Sequence, residues 1–142
     1  MLQEIFDRQL RLQTESFGVD PTMLDGEERR RFIVDMMMAL QDELHEALAE
    51  CGWKPWASSK HLNEDAFISE LVDALHFLVN LFLVAGADAE DVVRVYEAKA
   101  NKNAARQASG YDGVSGKCQV CKRALDDSAV LCSDKVCHAL TR

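Results

Sequence analysis

Two pairs of acidic residues, Glu43-Leu-His-Glu46 and Glu70-Leu-Val-Asp73, limit the folds open to this chain more than any other feature. Each pair has i, i+3 spacing, which directs both carboxylates to one side of a helix. The 23 residues between Glu46 and Glu70 are enough to close one helix, turn and begin another. The second pair lies inside Ala66–Ala85, a run that is otherwise almost wholly apolar. At 100° per residue, Ser69, Glu70, Asp73, His76 and Asn80 fall on one stripe of that helix. A helix apolar everywhere else is expected to be buried, with Leu71, Val72, Leu75 and Leu78 leaving little of it exposed. Unpaired carboxylates there would cost several kcal/mol, so a positive group must meet them. Four convergent carboxylates without a neighbouring cysteine suit a hard cation such as Mg²⁺ or Mn²⁺. Glu43 and Glu46 alone would read as a solvated helix surface, and it is the second pair that favours a metal site.

The rest of the chain supports an all-α reading. Helices are predicted from Leu2 to about Ser16, from a capping box at Asp25 and Glu28 to about Cys51, from Asn63 to Ala85 before Gly86, and from Asp88 to about Ala108. The second of these has an apolar stripe of Phe32, Met36, Leu40, Leu44 and Leu48. No strand alternation precedes residue 113, so a bundle of four or more helices is expected over residues 1–113. Residues 110–116 contain three glycines and read as a linker to a Cys-rich tail, residues 114–142. In that tail Cys118 and Cys121, then Cys132 and Cys137, form two close pairs that suit a structural Zn²⁺ knuckle. His138 is the alternative to Cys137 as fourth ligand.

Charge and cysteine usage narrow the function. A net charge of −8 argues against nonspecific nucleic-acid binding. Cysteines crowded near one end, in a reducing compartment, read as a metal site before a disulfide framework. The long apolar run carries Glu70, Asp73, His76 and Asn80, which argues against a membrane span. Residues 1–7 show no basic segment leading into an apolar stretch, so a signal peptide is not expected, and a cytoplasmic protein is the default. Trp53-Lys-Pro-Trp56 between the acidic pairs offers flat surfaces for a base and a cation for phosphate, or simply closes the bundle. Lys99, Asn103 and Arg106 recur at i, i+4, i+7 and present one face suited to triphosphate oxygens.

Taken together, these motifs resemble the all-α nucleoside triphosphate pyrophosphohydrolases, the superfamily of MazG and the dimeric dUTPases. Glu43, Glu46, Glu70 and Asp73 match the superfamily's Glu-x-x-Glu and Glu-x-x-Asp signature. Gln9-Leu-Arg-Leu12-Gln13, the Trp53–Trp56 loop, the Glu70–Phe77 run, Lys99, Asn103, Arg106-Gln107 and Gly110-Tyr111 are similar to elements of the dimeric dUTPase branch. The resemblance implies Mg²⁺-dependent hydrolysis of a deoxynucleoside triphosphate to its monophosphate and pyrophosphate. The four carboxylates would hold the ions, and Glu43 or Glu46 would orient the attacking water. Gln9, Gln13 and Trp53 would contact base and sugar, Asn80 and Asn103 would add polar contacts, and Lys54, Lys99 and Arg106 would bind phosphate.

A substrate of the dUTP or dCTP type is favoured. Gln13 replaces the asparagine that dUTPases usually carry, however, and phage enzymes of the MazZ type share the carboxylate core while acting on purine deoxynucleotides. Hydrolysis of dGTP or dATP is therefore the alternative. A homodimer or homotetramer in the cytoplasm of a bacterium or a phage-infected host completes the expectation. The rival from another class is a noncatalytic helical adaptor with a zinc knuckle, which leaves the stripe from Glu70 to Asn80 without purpose.

Overall fold

The computed structural model describes residues 1–110 and Cys118. It is helical: α1 (Leu2–Arg11), α2 (Gly26–Ala49), α3 (Glu64–Ala85) and α4 (Ala89–Ala108), with no strand among the described residues. The chain divides into two compact units, Met1–Tyr96 and Glu97–Arg142. The expected boundary between residues 113 and 114 lies outside the described residues, as do Cys121, Cys132, Cys137 and His138. Cys118 is buried.

Short-range chemistry sets the α3–α4 junction. Gly86 closes α3 at φ 81°, a left-handed conformation that costs glycine little and other residues more. Asp88 then opens α4, its Oδ1 accepting from the Asp91 backbone N–H at 2.9 Å. The predicted capping box at Asp25 is absent, because the Asp25 side chain makes no cap hydrogen bond. Only its carbonyl serves the helix, accepting from Arg29 N–H at 2.9 Å. The Asn63 side chain likewise makes no cap and donates to Glu50 Oε2 at 3.0 Å, while its carbonyl accepts from Phe67 N–H at 2.8 Å.

α1 does not run uniformly to Ser16. Leu12–Ser16 widens into a π-turn. Thr14 Oγ1 donates to the carbonyls of Leu10 (2.9 Å) and Arg11 (3.1 Å), competing with the backbone ladder where the turn opens.

The first unit is built on the α2–α3 hairpin. Its connecting loop doubles back, with Gly52 N–H donating to His61 O (2.7 Å) and Asn63 N–H to Glu50 O (2.9 Å) around the antiparallel bridge Cys51–Leu62. A Cβ on Gly52 would lie 2.8 Å from His61 N, Lys60 Cα and Ser59 O, so the chain crosses itself only because this residue has none. At the far end Arg29 Nε donates to Val84 O at 3.0 Å. α1 covers one face: Phe6 stacks on Phe82 with centroids 6.2 Å apart, over a core of Phe6, Val79, Leu83 and Ala89. Each large apolar side chain buried there contributes about 1.5–3 kcal/mol.

The expected full burial of α3 is corrected by this layering. Ala74, Val79, Asn80, Leu83 and Val84 are buried, but Ile68, Leu71, Val72 and Leu78 are exposed. On α2, Leu44 and Leu48 of the predicted stripe are exposed with Met37 and Met38. α1 covers only one side of the hairpin, so an apolar sequence alone could not tell which side would stay bare. α3 is long and apolar enough to cross a bilayer by length and composition. Its buried Asn80 is nonetheless bonded to Gln9 of α1, which ties it into the helical core.

Candidate active site

The acidic residues of α2 and α3 meet near the loop end of the hairpin. One carboxylate oxygen from each of Glu43, Glu46 and Glu70 lies within 4.8 Å of the other two, with Glu43 and Glu70 half-buried and Glu46 exposed. The i, i+3 spacing places Glu43 and Glu46 together, and the antiparallel return of α3 brings Glu70 to them. Asp73 lies outside that closest group and is exposed. Its charge still acts on Glu43, whose carboxyl is held above the usual glutamate range. Burial is the main cause, and the negative charges of Glu46, Asp73, Glu70 and Asp42 add to it. The ion pairs found among the described residues join the amino terminus to Glu4, Arg30 to Glu27, Arg31 to Asp35 and Arg94 to Asp91, and none of these involves the four acids.

Such a cluster suits a divalent cation. All the donors are hard oxygens, they converge from two helices, and their mutual repulsion is what a positive ion would relieve.

The other expected contacts fall into three places. Gln9 and Asn80 are turned inward, at 3% and 1% exposure, and Gln9 Nε2 donates to Asn80 Oδ1 at 2.8 Å. Asn80 Nδ2 donates to Met36 Sδ at 3.3 Å, so both ends of this amide are engaged inside the bundle. Asn80, expected from the sequence to touch substrate, is thus bonded between Gln9 and Met36. Gln13 is buried within the π-turn.

Trp53 and Lys54 belong to the hairpin loop and line, with Cys51, Ser59 and His61, a cavity of about 360 Å³. The Trp53 and Trp56 rings pack edge to face at 6.2 Å and 69°. Lys60 Nζ donates to Lys54 O, which ties this loop across its width. Lys99, Asn103 and Arg106 lie on the part of α4 that belongs to the second unit.

Sequence reasoning missed a second concavity, between α1 and α3. Ile5, Leu12, Val72, Leu75 and Val79 form apolar walls of a cavity of about 550 Å³, with Arg8, Gln9 and His76 also lining it. His76 Nδ1 is 2.5 Å from Gln9 Oε1. The only signal of this in the sequence was the i, i+4 placement of His76 and Asn80 on the polar stripe.

A family model described as dUTPase matches residues 1–87. A dCTP pyrophosphatase of Enterobacteria phage T4 is 30% identical over 96 residues, covering 51% of this chain and 56% of that protein. A dCTP pyrophosphatase of Enterobacteria phage LZ5 is 36% identical over 75 residues, covering 44% of each chain. The chain thus spans about half the length of the curated relatives it matches. No solved structure matches it.

Proposed function

Because the chain belongs to the dUTPase family, we propose that it is a pyrophosphohydrolase converting a deoxynucleoside triphosphate to the monophosphate and pyrophosphate. The observation that carries this reading is the meeting of Glu43, Glu46 and Glu70 across two helices, within 4.8 Å and with Asp73 alongside. A pyrimidine substrate, dCTP or dUTP, is the preferred one, in line with the names of the phage relatives and of the family.

Glu43, Glu46, Glu70 and Asp73 would hold Mg²⁺ or Mn²⁺, which supplies Lewis-acid neutralisation of the triphosphate and activates water when bound. The protein's own contribution is positional. The acids of α2 and α3 fix where the triphosphate lies, and Glu43 or Glu46 accepts the proton of the attacking water. Attack at the α-phosphorus and breaking of the α–β bridge then release the monophosphate and pyrophosphate. Lys54, Lys99, Asn103 and Arg106 bind phosphate oxygens and offset charge on the leaving pyrophosphate. Gln9 and Gln13 would serve the base end of the site, with Asn80 behind Gln9, and Trp53 would contact the sugar.

The exposed apolar side chains of α2 and α3, among them Met38, Leu44, Ile68 and Val72, favour a second copy of the chain as their cover. The assembly proposed is a homodimer or homotetramer, and the location proposed is the cytoplasm. We also assign Cys118, Cys121, Cys132 and Cys137 to a structural Zn²⁺ on their spacing.

The test is pyrophosphate release from a panel of dCTP, dUTP, dGTP and dATP with and without Mg²⁺. Metal-dependent release from the pyrimidine substrates is expected. Release from dGTP and dATP alone would replace the pyrimidine assignment, and no release from any of them would reject the hydrolase.

A further inference from the structure

A chain of four side chains joins the α1–α3 cavity to the interior of the bundle, and its direction is set at the buried end. His76 Nδ1 is 2.5 Å from Gln9 Oε1, Gln9 Nε2 is 2.8 Å from Asn80 Oδ1, and Asn80 Nδ2 is 3.3 Å from Met36 Sδ. A thioether has lone pairs and no proton, so it can face an amide N–H but not an amide oxygen. Met36 therefore fixes which way the Asn80 amide is turned.

Each later link follows from the one before. With Nδ2 committed to sulfur, Asn80 presents Oδ1 to Gln9. Gln9 must answer with Nε2, which leaves its Oε1 facing His76. An amide oxygen only accepts, so His76 Nδ1 carries the proton. In the neutral imidazole Nε2 then holds a lone pair, and it makes no hydrogen bond among the described residues. His76 lines the 550 Å³ cavity, whose walls are otherwise supplied mainly by Ile5, Leu12, Val72, Leu75 and Val79. The result is an apolar recess with one ring acceptor whose polarity is set 40 residues away in sequence, at Met36.

We propose that Met36 is a positioning residue for substrate selection: it orients the amides of Asn80 and Gln9 so that His76 offers a hydrogen-bond acceptor to a nucleobase carrying an N–H donor, bound in the α1–α3 cavity. This rests on the hydrolase reading above. The placement fits a nucleotide, since His76 lies six residues beyond Glu70 on α3, about 9 Å along the helix at 1.5 Å per residue. That is the reach from a phosphate held at the acids, across a deoxyribose, to a base. An exocyclic amine, as in cytosine, or a ring N–H, as in uracil, is the matching donor. The apolar walls suit the faces of the ring.

The experiment uses the full chain and two readouts. Nitrogen-15 spectra of the imidazole in the unaltered protein should show Nδ1 protonated and Nε2 bare. Met36→Leu keeps the volume and removes the acceptor. It should convert His76 to a mixture of tautomers while the helical circular dichroism is retained. In the same variant KM for the preferred dNTP should rise roughly two- to tenfold, the worth of one hydrogen bond, with kcat little changed.

A wild-type His76 protonated at Nε2 and bare at Nδ1 overturns the proposal without any variant. A Met36→Leu protein that keeps the wild-type tautomer overturns it as well. A tautomer that shifts while KM stays constant for all four dNTPs removes the base from this cavity and overturns the selection role. Absence of pyrophosphate release in the unaltered chain would instead reject the hydrolase, and the tautomer spectra would still decide whether Met36 directs the relay.

Discussion

Two stretches of the same hairpin handle polar groups among apolar neighbours in opposite ways. Towards Gly86, Gln9, His76, Asn80 and Met36 are bonded to one another. No buried side-chain nitrogen or oxygen among the described residues lacks a partner. Towards the loop, Glu43, Glu46 and Glu70 crowd like charges together and leave the repulsion standing. Neutral amides complete a network with what the fold provides, whereas the carboxylate cluster would, on the proposed reading, be completed by an ion from solution. The first stretch stabilises the chain, and the second holds potential energy that binding can release.

The comparison breaks most directly at Glu70. Glu70→Ala should lower pyrophosphate release by roughly 10²-fold or more while leaving the helical circular dichroism nearly intact. Retained turnover would remove the acids from the chemistry. At the neutral stretch the order of effects should reverse. Asn80→Ala strands the buried Gln9 amide and opens a void beside Met36. A stability loss of about 1–3 kcal/mol should appear in denaturant unfolding, and an unchanged midpoint would show that the network contributes little.

The third and smallest effect concerns pH. Glu43 has its carboxyl raised in the folded chain, so the folded state holds that proton to higher pH than the unfolded state does. In the metal-free protein this contribution to stability is present below the ordinary glutamate value and is lost as pH rises through the raised one. Thermal melts should therefore show Mg²⁺ raising Tm by a few degrees near neutrality and hardly at all in acid. Equal shifts at both pH values would contradict the picture of an unrelieved acid cluster.

Local signals carried most of what could be read from the sequence. Gly86 and Asp88 mark the α3–α4 junction through chemistry confined to a few residues, and both act as their sequence position implies. The spacing of Glu43, Glu46 and Glu70 likewise needs only helical geometry and one reversal of the chain. Asp25 failed as a cap because its carbonyl, and not its side chain, took up the first donor. The π-turn escaped notice because Thr14 can bond to solvent or back to the helix, and only the fold decides. The bare faces of Leu71, Val72 and Leu44 were illegible for a different reason. Composition reports that a surface is apolar, but which neighbour covers it depends on packing that no local window contains. The relay from Met36 to His76 spans α1, α2 and α3 and left no trace in any single segment.

The α2–α3 hairpin is fastened at both extremities, by Arg29 to the Val84 carbonyl at one and by the Gly52–His61 and Glu50–Asn63 bonds at the other. Neither helix can slide or roll past its mate without parting one of these fastenings. On the proposed metal-binding reading, ions of different radius would be met by turning glutamate torsions more than by spreading the backbones. Discrimination between metals would then be a property of the clamp as much as of the oxygens.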